Sequence, residues 1–415
     1  MSAWEIRKLT DLAEYVNGYA FAPEDWGTEG LPIIRIEQLK NPNAPVDYYV
    51  GKLPQKNIID DEDLIFSWSA SLFLRIWKNG KAVLNQHLFK VVEKEGVDRE
   101  FLKSFIEFYL PELIKASHGS TMQHITRKEL EKFSARFPID EAEQKGVASV
   151  IAAVDRAIEQ TEALIAKQQR IKIGLMQDLL TKGIDEHGNI RSEATHAFKD
   201  SPLGRIPVEW EVAPLAEAAD LRVGYAFKSS WFSEDGVRLL RGENVGTGTL
   251  DWKDTACLPL EIADDFEDYR LIAGDLVIGM DRTFTKQGFK VSAVTEDDLP
   301  CLLVQRVGCF IPIGIPKQFM RFLILSPQYQ RELLLQQKGM DIPHLSKSEI
   351  LAPLVLLPKN EKEMTEISKR VEAMECFVKN CRDSLRKYNA LKRGLMHDLL
   401  TGERRVTPLL AQPTS

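Results

Sequence analysis

Asp140, Glu143 and Lys145 have the order of a metal-dependent nuclease site, two carboxylates and then a lysine able to hold a cation and an attacking water. The same positions 220 residues later carry Asn360, Glu363 and Thr365, which lack both the acid pair and the cation. Acids at a helix start are favoured by the helix dipole alone, so catalysis is the weaker reading. The seven histidines show no H-x-x-x-H and no glutamate at metal spacing. Five cysteines, Cys257, Cys301, Cys309, Cys376 and Cys381, form no C-x-x-C pair, which argues against a zinc site or a disulfide framework and for a reducing compartment. No G-x-x-x-x-G-K-[ST] loop occurs, nor a G-x-G-x-x-G after a strand; Gly242, Gly246 and Gly248 in RGENVGTGTL read as turn glycines. The N-P-P-[YF] or D-P-P-[YF] loop with which amino-methyltransferases grip a flipped adenine is missing too. The chain is expected to bind rather than to catalyse, with no metal and no cofactor of its own.

Binding candidates are easier to find. His124 and His344 recur in register and are either hydrogen-bonding base readers or structural. RTFTKQGFK (282–290) and SLFLRIWKNGK (71–81) mix cations with polar and aromatic side chains. The net charge of −7 opposes a nucleic-acid partner, because lysine and arginine supply most of the phosphate affinity. Its distribution softens the objection. Residues 1–140 carry −3 (18 basic, 21 acidic) and 184–358 carry −8 (18 and 26), whereas 141–183 are neutral (6 and 6) and 359–405 carry +4 (12 and 8). A few well-placed side chains suffice for base contacts, and partner chains can supply phosphate contacts.

An internal duplication must position these residues. GLMQDLLT (174–181) returns as GLMHDLLT (394–401), and His124-Ile125, Phe137-Pro138 and Glu141 match His344-Leu345, Leu357-Pro358 and Glu361 at the same offset of 220. Trp4-Glu5, GYAF (18–21) and EGLPIIRIEQL (from 29) match Trp210-Glu211, GYAF (224–227) and DGVRLLRGENV (from 235) at an offset of 206, and Asp63-Leu64 matches Asp275-Leu276 at 212. The length changes are therefore confined to the middle of each copy. Short apolar runs such as LPIIRI, DLIFSWS and HLFKVV, or VRLLRG, GDLVIGM and LVQRVGCFI, read as strands. FLKSFIEFYLPELIKA, KQFMRFLILS and QYQRELLLQQ read as helices.

Each copy closes on a segment of another kind. From Glu141, apolar or small residues fall at 147, 150, 154, 157, 161, 164, 171 and 175 with the spacing of a coiled-coil seam, and 367 to 395 repeat it less strictly. Asp140-Glu141 and Asn360-Glu361 suit helix starts, and Gly183 and Gly402 suit the ends. The expected fold is α+β: two pseudo-twofold-related mixed α/β globular domains, 1–140 and 208–358, separated by a long antiparallel two-helix coiled coil of 141–183 and 359–405. Residues 184–207 read as a linker and 406–415 as a flexible tail. With no apolar run near the roughly 20 residues of a membrane span and no signal-peptide layout at the start, a cytoplasmic location is expected.

This order of parts resembles the specificity subunit of type I restriction-modification systems over nearly the whole chain. The resemblance is carried by IPVEWEVAPLAEAA, GYAFKSSWFSEDGVRLLRGENV, YRLIAGDLVIG, KGMDIPHLSKSEILAPLVLLP and LKRGLMHDLLTGERRV. The first copy repeats it as WEIRKLTDLAE, NGYAF, LPIIRIEQL, DEDLIFS, HGSTMQHITRKELEKFSARFPIDEAEQ and IKIGLMQDLLTKG. Departures such as APEDWG for KSSWFS, or NEKEM for DEAEQ, affect local caps. The resemblance implies a non-catalytic chain with two target recognition domains, each reading one half of a bipartite, asymmetric double-stranded DNA site, with helices that set the spacing. The implied partners are two methyltransferase (modification) subunits, for adenine N6 methylation, and motor-nuclease (restriction) subunits. S-adenosylmethionine, and ATP with Mg, would belong to those partners. The rival reading is a non-DNA coiled-coil adaptor with two binding modules.

On that reading, the expected DNA contacts in the first domain are Arg35, Ser69, Arg75 and Lys78, with Gly119, Ser120, Thr121, Gln123 and His124 of the loop SHGSTMQH. In the second they are Lys228, Arg241, Asn244, Arg282, Lys286 and Lys290, with Lys338, Gly339, Met340 and His344 of QQKGMDIPH. Gly174, Leu175 and Leu179, with Gly394, Leu395 and Leu399, are expected at the helix pair or at a docked partner; close helix approach is the expected reason for the two glycines, which cost about 1 kcal/mol each inside a helix.

Overall fold

A computed structural model describes residues 4–116, 124–286, 288–336 and 344–406. The chain forms two compact units, Met1–Leu164 with Cys381–Ser415, and Ile165–Asn380. Both are α+β, and each contains half of each long helix.

Unit 1 runs Trp4–Lys8 (β1), Leu9–Leu12 (α1), Ala13–Asn17 (β2), Leu31–Ile34 (β3), Ile36–Lys40 (α2), Tyr48–Tyr49 (β4), Ile58–Ile59 (β5), Leu64–Ser67 (β6), Phe73–Ile76 (β7), Ala82–Leu84 (β8) and Leu88–Glu93 (β9). Arg99–Ala116 (α3), Arg127–Lys132 (α4), Ser134–Pro138 (β10) and the start of Glu141–Thr181 (α5) follow. One sheet has the order β2-β9-β6-β7, a second β4-β3-β8-β5, and β1 pairs with β10. The whole of β6, LIFS, is buried, as expected of a run covered on both faces. Phe101 and Phe105 of α3 meet the Phe137 ring edge-on at 5.3 Å, and the core is completed by Val147 and Ile151 of α5 and by Leu399 and Leu400.

Unit 2 holds Phe198–Ser201 (β11), Gly204–Pro207 (β12), Trp210–Pro214 (β13), Ala219–Val223 (β14), Val237–Leu240 (β15), Cys257–Leu258 (β16), Leu260–Ala263 (α6), Leu276–Gly279 (β17), Phe284–Thr285 (β18), Gly288–Phe289 (β19), Val291–Ala293 (β20), Cys301–Leu303 (β21) and Val307–Pro312 (β22). Lys317–Leu325 (α7), Pro327–Gln336 (α8), Lys347–Leu351 (α9), Leu354–Pro358 (β23) and Glu361–Leu400 (α10), whose second half belongs to unit 1, complete the order. The sheet order β14-β22-β17-β20 reproduces β2-β9-β6-β7, the parallel pair β15-β21 reproduces β3-β8, and β13-β23 reproduces β1-β10 down to Trp4 opposite Pro138 and Trp210 opposite Pro358. The duplication read from the sequence is a duplication of topology.

The shared GYAF shows why the repeat holds. A Cβ on Gly18 would strike the Leu84 and Asn85 carbonyls, and one on Gly224 the Val304 carbonyl, because the chain crosses the neighbouring strand end there. The aromatic pairs that follow, Tyr19–Phe21 and Tyr225–Phe227, both meet at 5.0 Å and 66°.

Both long helices start as expected. Asp140 Oδ1 accepts the amide of Ala142, and Asn360 Oδ1 that of Lys362, each at 2.9 Å. In unit 1 the start of α5 lies beside the end of α10, where Lys392 reaches Asp155 at 2.6 Å. In unit 2 the end of α5 lies beside the start of α10, where Lys172 reaches Glu375 at 2.6 Å and Arg321 of α7 reaches its other oxygen at 2.8 Å. The helices are therefore antiparallel. Along the helices Val147, Ile151, Ile367, Val371 and Val378 are buried, whereas Leu164, Ile171, Phe377, Tyr388 and Leu391 stay exposed.

The segment 184–207 differs from the expected linker. Ile184, Arg191 and Ile206 are buried, and β11 and β12 pair. Arg191 closes on Glu363 of α10 with a second contact of 3.3 Å, while the same carboxylate accepts the Ile184 amide and the Trp210 indole. Its polar composition reflects this paired-charge packing. Unit 1 has the counterpart: Arg405, just beyond α10, grips buried Glu143 with 3.0 and 3.1 Å contacts and lies over the Trp4 ring. Of the expected tail, Val406 belongs to the core of unit 1, and 407–415 lie outside the described residues.

Removing one partner of such a buried pair leaves a charge without compensation, which costs about 3–5 kcal/mol. Arg191→Met should accordingly raise hydrogen exchange across β11, β12 and β13 and lower the urea midpoint of unit 2. A change under about 1 kcal/mol would show that the pair is not what fixes this segment.

Candidate nucleic-acid interface

The strand ends decide which predicted residues meet. In unit 1 the end of β6 continues through Trp68 to Ser69, which bridges to His124, and Ala70 takes a positive φ of 59°. Trp68 lies 5.5 Å from Phe89 and 5.9 Å from both His87 and His124, so two imidazoles and an indole share one spot. Ser69 itself is buried. Arg35 closes β3 at the same end of the sheets, since the Asn85 amide just before His87 donates to the Ile34 carbonyl. Arg35 pairs with Asp47 at 2.7 Å and stacks over Trp26.

Two first-domain candidates leave the group. Arg75 lies mid-strand opposite Ile65 and donates to the Leu39 carbonyl. Lys78 is exposed but sits in the turn at the other end of the β6-β7 hairpin, beside Asp61, whose carboxylate takes the Gly80 amide.

The same place in unit 2 is charged. Asp281 bridges to His344, with Oδ1 2.8 Å from Nδ1, and Arg306 lies 3.8 Å from the same oxygen. Met280, Asp281 and Arg306 thus occupy the positions of Trp68, Ser69 and His87. Arg282 is exposed, with φ +47°, matching Ala70. Lys290 donates its ammonium to the Gly242 carbonyl, and burial holds its pKa below the usual lysine range against the pull of Asp281. Arg241 is tied to Glu243 at 2.5 Å and to the Asp254 carbonyl. Lys286 is exposed at the turn between β18 and β19.

Asn244 is placed otherwise than the sequence suggests. Asn244 is 2% exposed and spends its amide on the backbone, accepting from the Arg241 amide and donating to the Asp251 carbonyl. Gln38 does the same in unit 1 with Arg35 and Pro45, so this position shapes a loop. Lys228 is exposed and lies over Trp231 at 5.3 Å, beside the aromatic cluster of Tyr225, Phe227 and Phe266. Gly119, Ser120, Thr121, Gln123, Lys338, Gly339 and Met340 lie outside the described residues. Trp68, His87, Asp281 and Arg306 were missed. Comparing the two copies position by position would have flagged them, because chemistry changes there on a constant backbone.

The expected helix positions divide. Leu179 and Leu399 are buried in the cores of units 2 and 1, and Leu175 and Leu395 pack at their margins. Gly174 and Gly394 are exposed, and a Cβ at either would meet no atom within 4 Å, so close helix approach does not explain them. Exposed Ile171 and Ile173 lie near Gly174, and exposed Leu391 near Gly394.

Among the described residues one group of three potential metal ligands occurs, His397, Asp398 and Glu403. It is solvent-facing, and Asp398 is already paired with Arg404 at 3.2 Å. The acid pair weighed above as a nuclease site is dispersed, with Asp140 capping α5, Glu143 held by Arg405 and Lys145 paired with Glu141. No helix among the described residues is long and apolar enough to cross a membrane.

Known proteins resemble the chain at each level. Residues 1–168 match the type I restriction modification DNA specificity domain. Over 412 residues, 98% of this chain and 94% of the relative, the sequence is 29% identical to the type I restriction enzyme MjaVIII specificity subunit of Methanocaldococcus jannaschii. Over 187 residues, 43% of this chain and 32% of the relative, it is 31% identical to the EcoAI specificity subunit of Escherichia coli. The fold is similar to the crystal structure of a type I restriction-modification S subunit from M. genitalium, with a TM-score of 0.59 over 96% of both chains at 15% identity.

The open surroundings of Gly174 have a measurable consequence. Gly174→Ala should stabilise the isolated chain by about 1 kcal/mol through helix propensity, read as a higher thermal midpoint. A lowered midpoint would mean that another part of the chain approaches this glycine.

Proposed function

We propose that the chain is a specificity subunit of the type I restriction-modification kind, whose two units read the two halves of a bipartite, asymmetric DNA site. The observation that carries this reading is one scaffold used twice with different chemistry at the same strand ends. Trp68, His87 and His124 meet in one unit, and Asp281, Arg306 and His344 in the other. An indole with two imidazoles, able to stack or hydrogen-bond, and a carboxylate with an arginine and one imidazole favour different base edges. Two different readers call for a target without internal symmetry.

The long helices are assigned the spacing. Each has about forty residues, roughly 60 Å of helix, and their ends are fixed inside the units by Glu143–Arg405 and Glu363–Arg191. Half-site separation in other DNA binders likewise follows protein geometry. Two methyltransferase subunits are assigned to the helix faces that carry Gly174 and Gly394. That assignment draws on the open space at both glycines and on the apolar residues exposed beside them. Adenine N6 methylation, S-adenosylmethionine, ATP with Mg, and restriction by motor-nuclease subunits are assigned to those partners. The chain's contribution is address rather than chemistry.

Methylation sequencing of host DNA with and without the gene tests the reading. One bipartite N6-methyladenine motif should vanish with the gene; an unchanged methylome in a host whose locus is transcribed would sink it. The purified chain should bind DNA weakly, because its recognition units are acidic on balance. Nanomolar specific binding by the chain alone at physiological salt would show that phosphate contacts do not come from partners.

A further inference from the structure

One of the length differences between the units falls between two paired strands of the shared sheet. Leu64 of β6 and Leu276 of β17 are 212 residues apart, but their cross-strand partners Ile76 and Ala293 are 217 apart. The five extra residues fall in the segment that forms the β18-β19 hairpin, where Phe284 pairs with Phe289 and Thr285 with Gly288. The first unit passes from β6 to β7 without it.

The hairpin is braced. The Phe284 and Phe289 rings stack at 5.0 Å and 22°, and Phe289 is buried in the core beside Tyr329. Gly288 lies against Thr247, where an added Cβ would come within 3.1 Å of the side chain. The glycine-rich loop holding Thr247 is stitched to β20, the strand that follows the hairpin: the Gly248 amide donates to the Val291 carbonyl, and the Ser292 hydroxyl contacts the Gly246 and Thr249 carbonyls. RGENVGTGTL, which offered no phosphate motif, is a buttress. The tip is left outside, with Lys286 exposed.

Charge and position point the same way. The second recognition region carries −8, yet from 282 to 290 it has Arg282, Lys286 and Lys290 and no acid. The stretch begins next to Asp281, at the strand end where His344 and Arg306 converge. A hairpin serving stability alone would not need an exposed cationic tip on a stem fixed from two sides. A pre-ordered stem is what a reading element needs, because little entropy is then lost on binding.

We propose that the β18-β19 hairpin is a reading element of the second unit alone, entering the DNA major groove as a two-stranded ribbon, with Lys286 as a specificity-determining residue of the second half-site. This rests on the two-reader function above. The major groove admits such a ribbon, and a lysine at its tip matches the N7 and O6 acceptors of guanine.

The test uses the full chain with its own host's modification subunits and reads methylated sites by sequencing. Lys286→Ala should cut discrimination at one base pair of one half-site by about 5- to 150-fold, with the other half-site and the gap unchanged. A second variant, with 284–289 replaced by a two-residue turn, should relax the same half-site further. If both variants keep both half-sites at full discrimination, the hairpin is not a reader, although the two-reader function stands. A uniform loss of methylation with base preference intact would place Lys286 on phosphate and overturn its specificity role. Should no motif depend on the intact gene at all, the two-reader function fails and takes this proposal with it.

Discussion

A buried carboxylate near the start of each long helix is met by an arginine from just past the end of the other. Glu363 receives Arg191 beyond α5, and Glu143 receives Arg405 beyond α10. Each pair is closed by a tryptophan that opens its unit: Trp210 donates its indole N–H to Glu363, and Trp4 lies under Arg405. The glycines that turn the chain out of the helices, Gly183 and Gly402, take positive φ and lie against those tryptophans, so the turn, the ring and the ion pair are one construction made twice. An isolated charge could not stay buried there. The first and last turns of antiparallel helices are therefore held together from inside each unit.

Between the ends, ion pairs add to the apolar packing of the helices. Burial alone would raise the Glu375 carboxyl, but hydrogen bonds and charge from Arg321 and Lys172 hold it below the usual glutamate range. Asp155 and Lys392 repeat the pair in unit 1. These contacts fix register, since sliding a helix by one turn of about 5.4 Å would break every one of them. They also free the apolar residues of the middle from closing the pair. Leu164, Ile171, Phe377, Tyr388 and Leu391 could then remain on the surface, and there a partner of complementary shape would find them.

The duplication, the strand runs, the helix starts and the helix ends were legible because each depends on local periodicity or capping chemistry. The Glu–Arg closures were not, because their partners lie 172 and 262 residues apart and each looks like surface charge in its own neighbourhood. The segment 184–207 was mistaken for a linker for the same reason. Asn244 was misassigned because an amide suited to an adenine edge is equally suited to two backbone groups in a loop. Gly174 shows another limit: spacing marks a helix face, but not whether the chain itself or another molecule covers it.

The two copies act as an alignment carried inside one chain, and physics decides what they can change. An insertion inside a paired strand would shift its register by a residue and turn the apolar set toward solvent, so strands β6 and β17 keep the same partners and burial. Length can change where a strand has already ended, as it does after Ser69 and Asp281, and side chains change beside that point, from Trp68, Ser69 and His87 to Met280, Asp281 and Arg306. On the proposed function, those are the positions at which DNA would be read. Whatever changes at the strand ends, Glu143 and Glu363 with their arginines hold the helix ends in the same way in both copies.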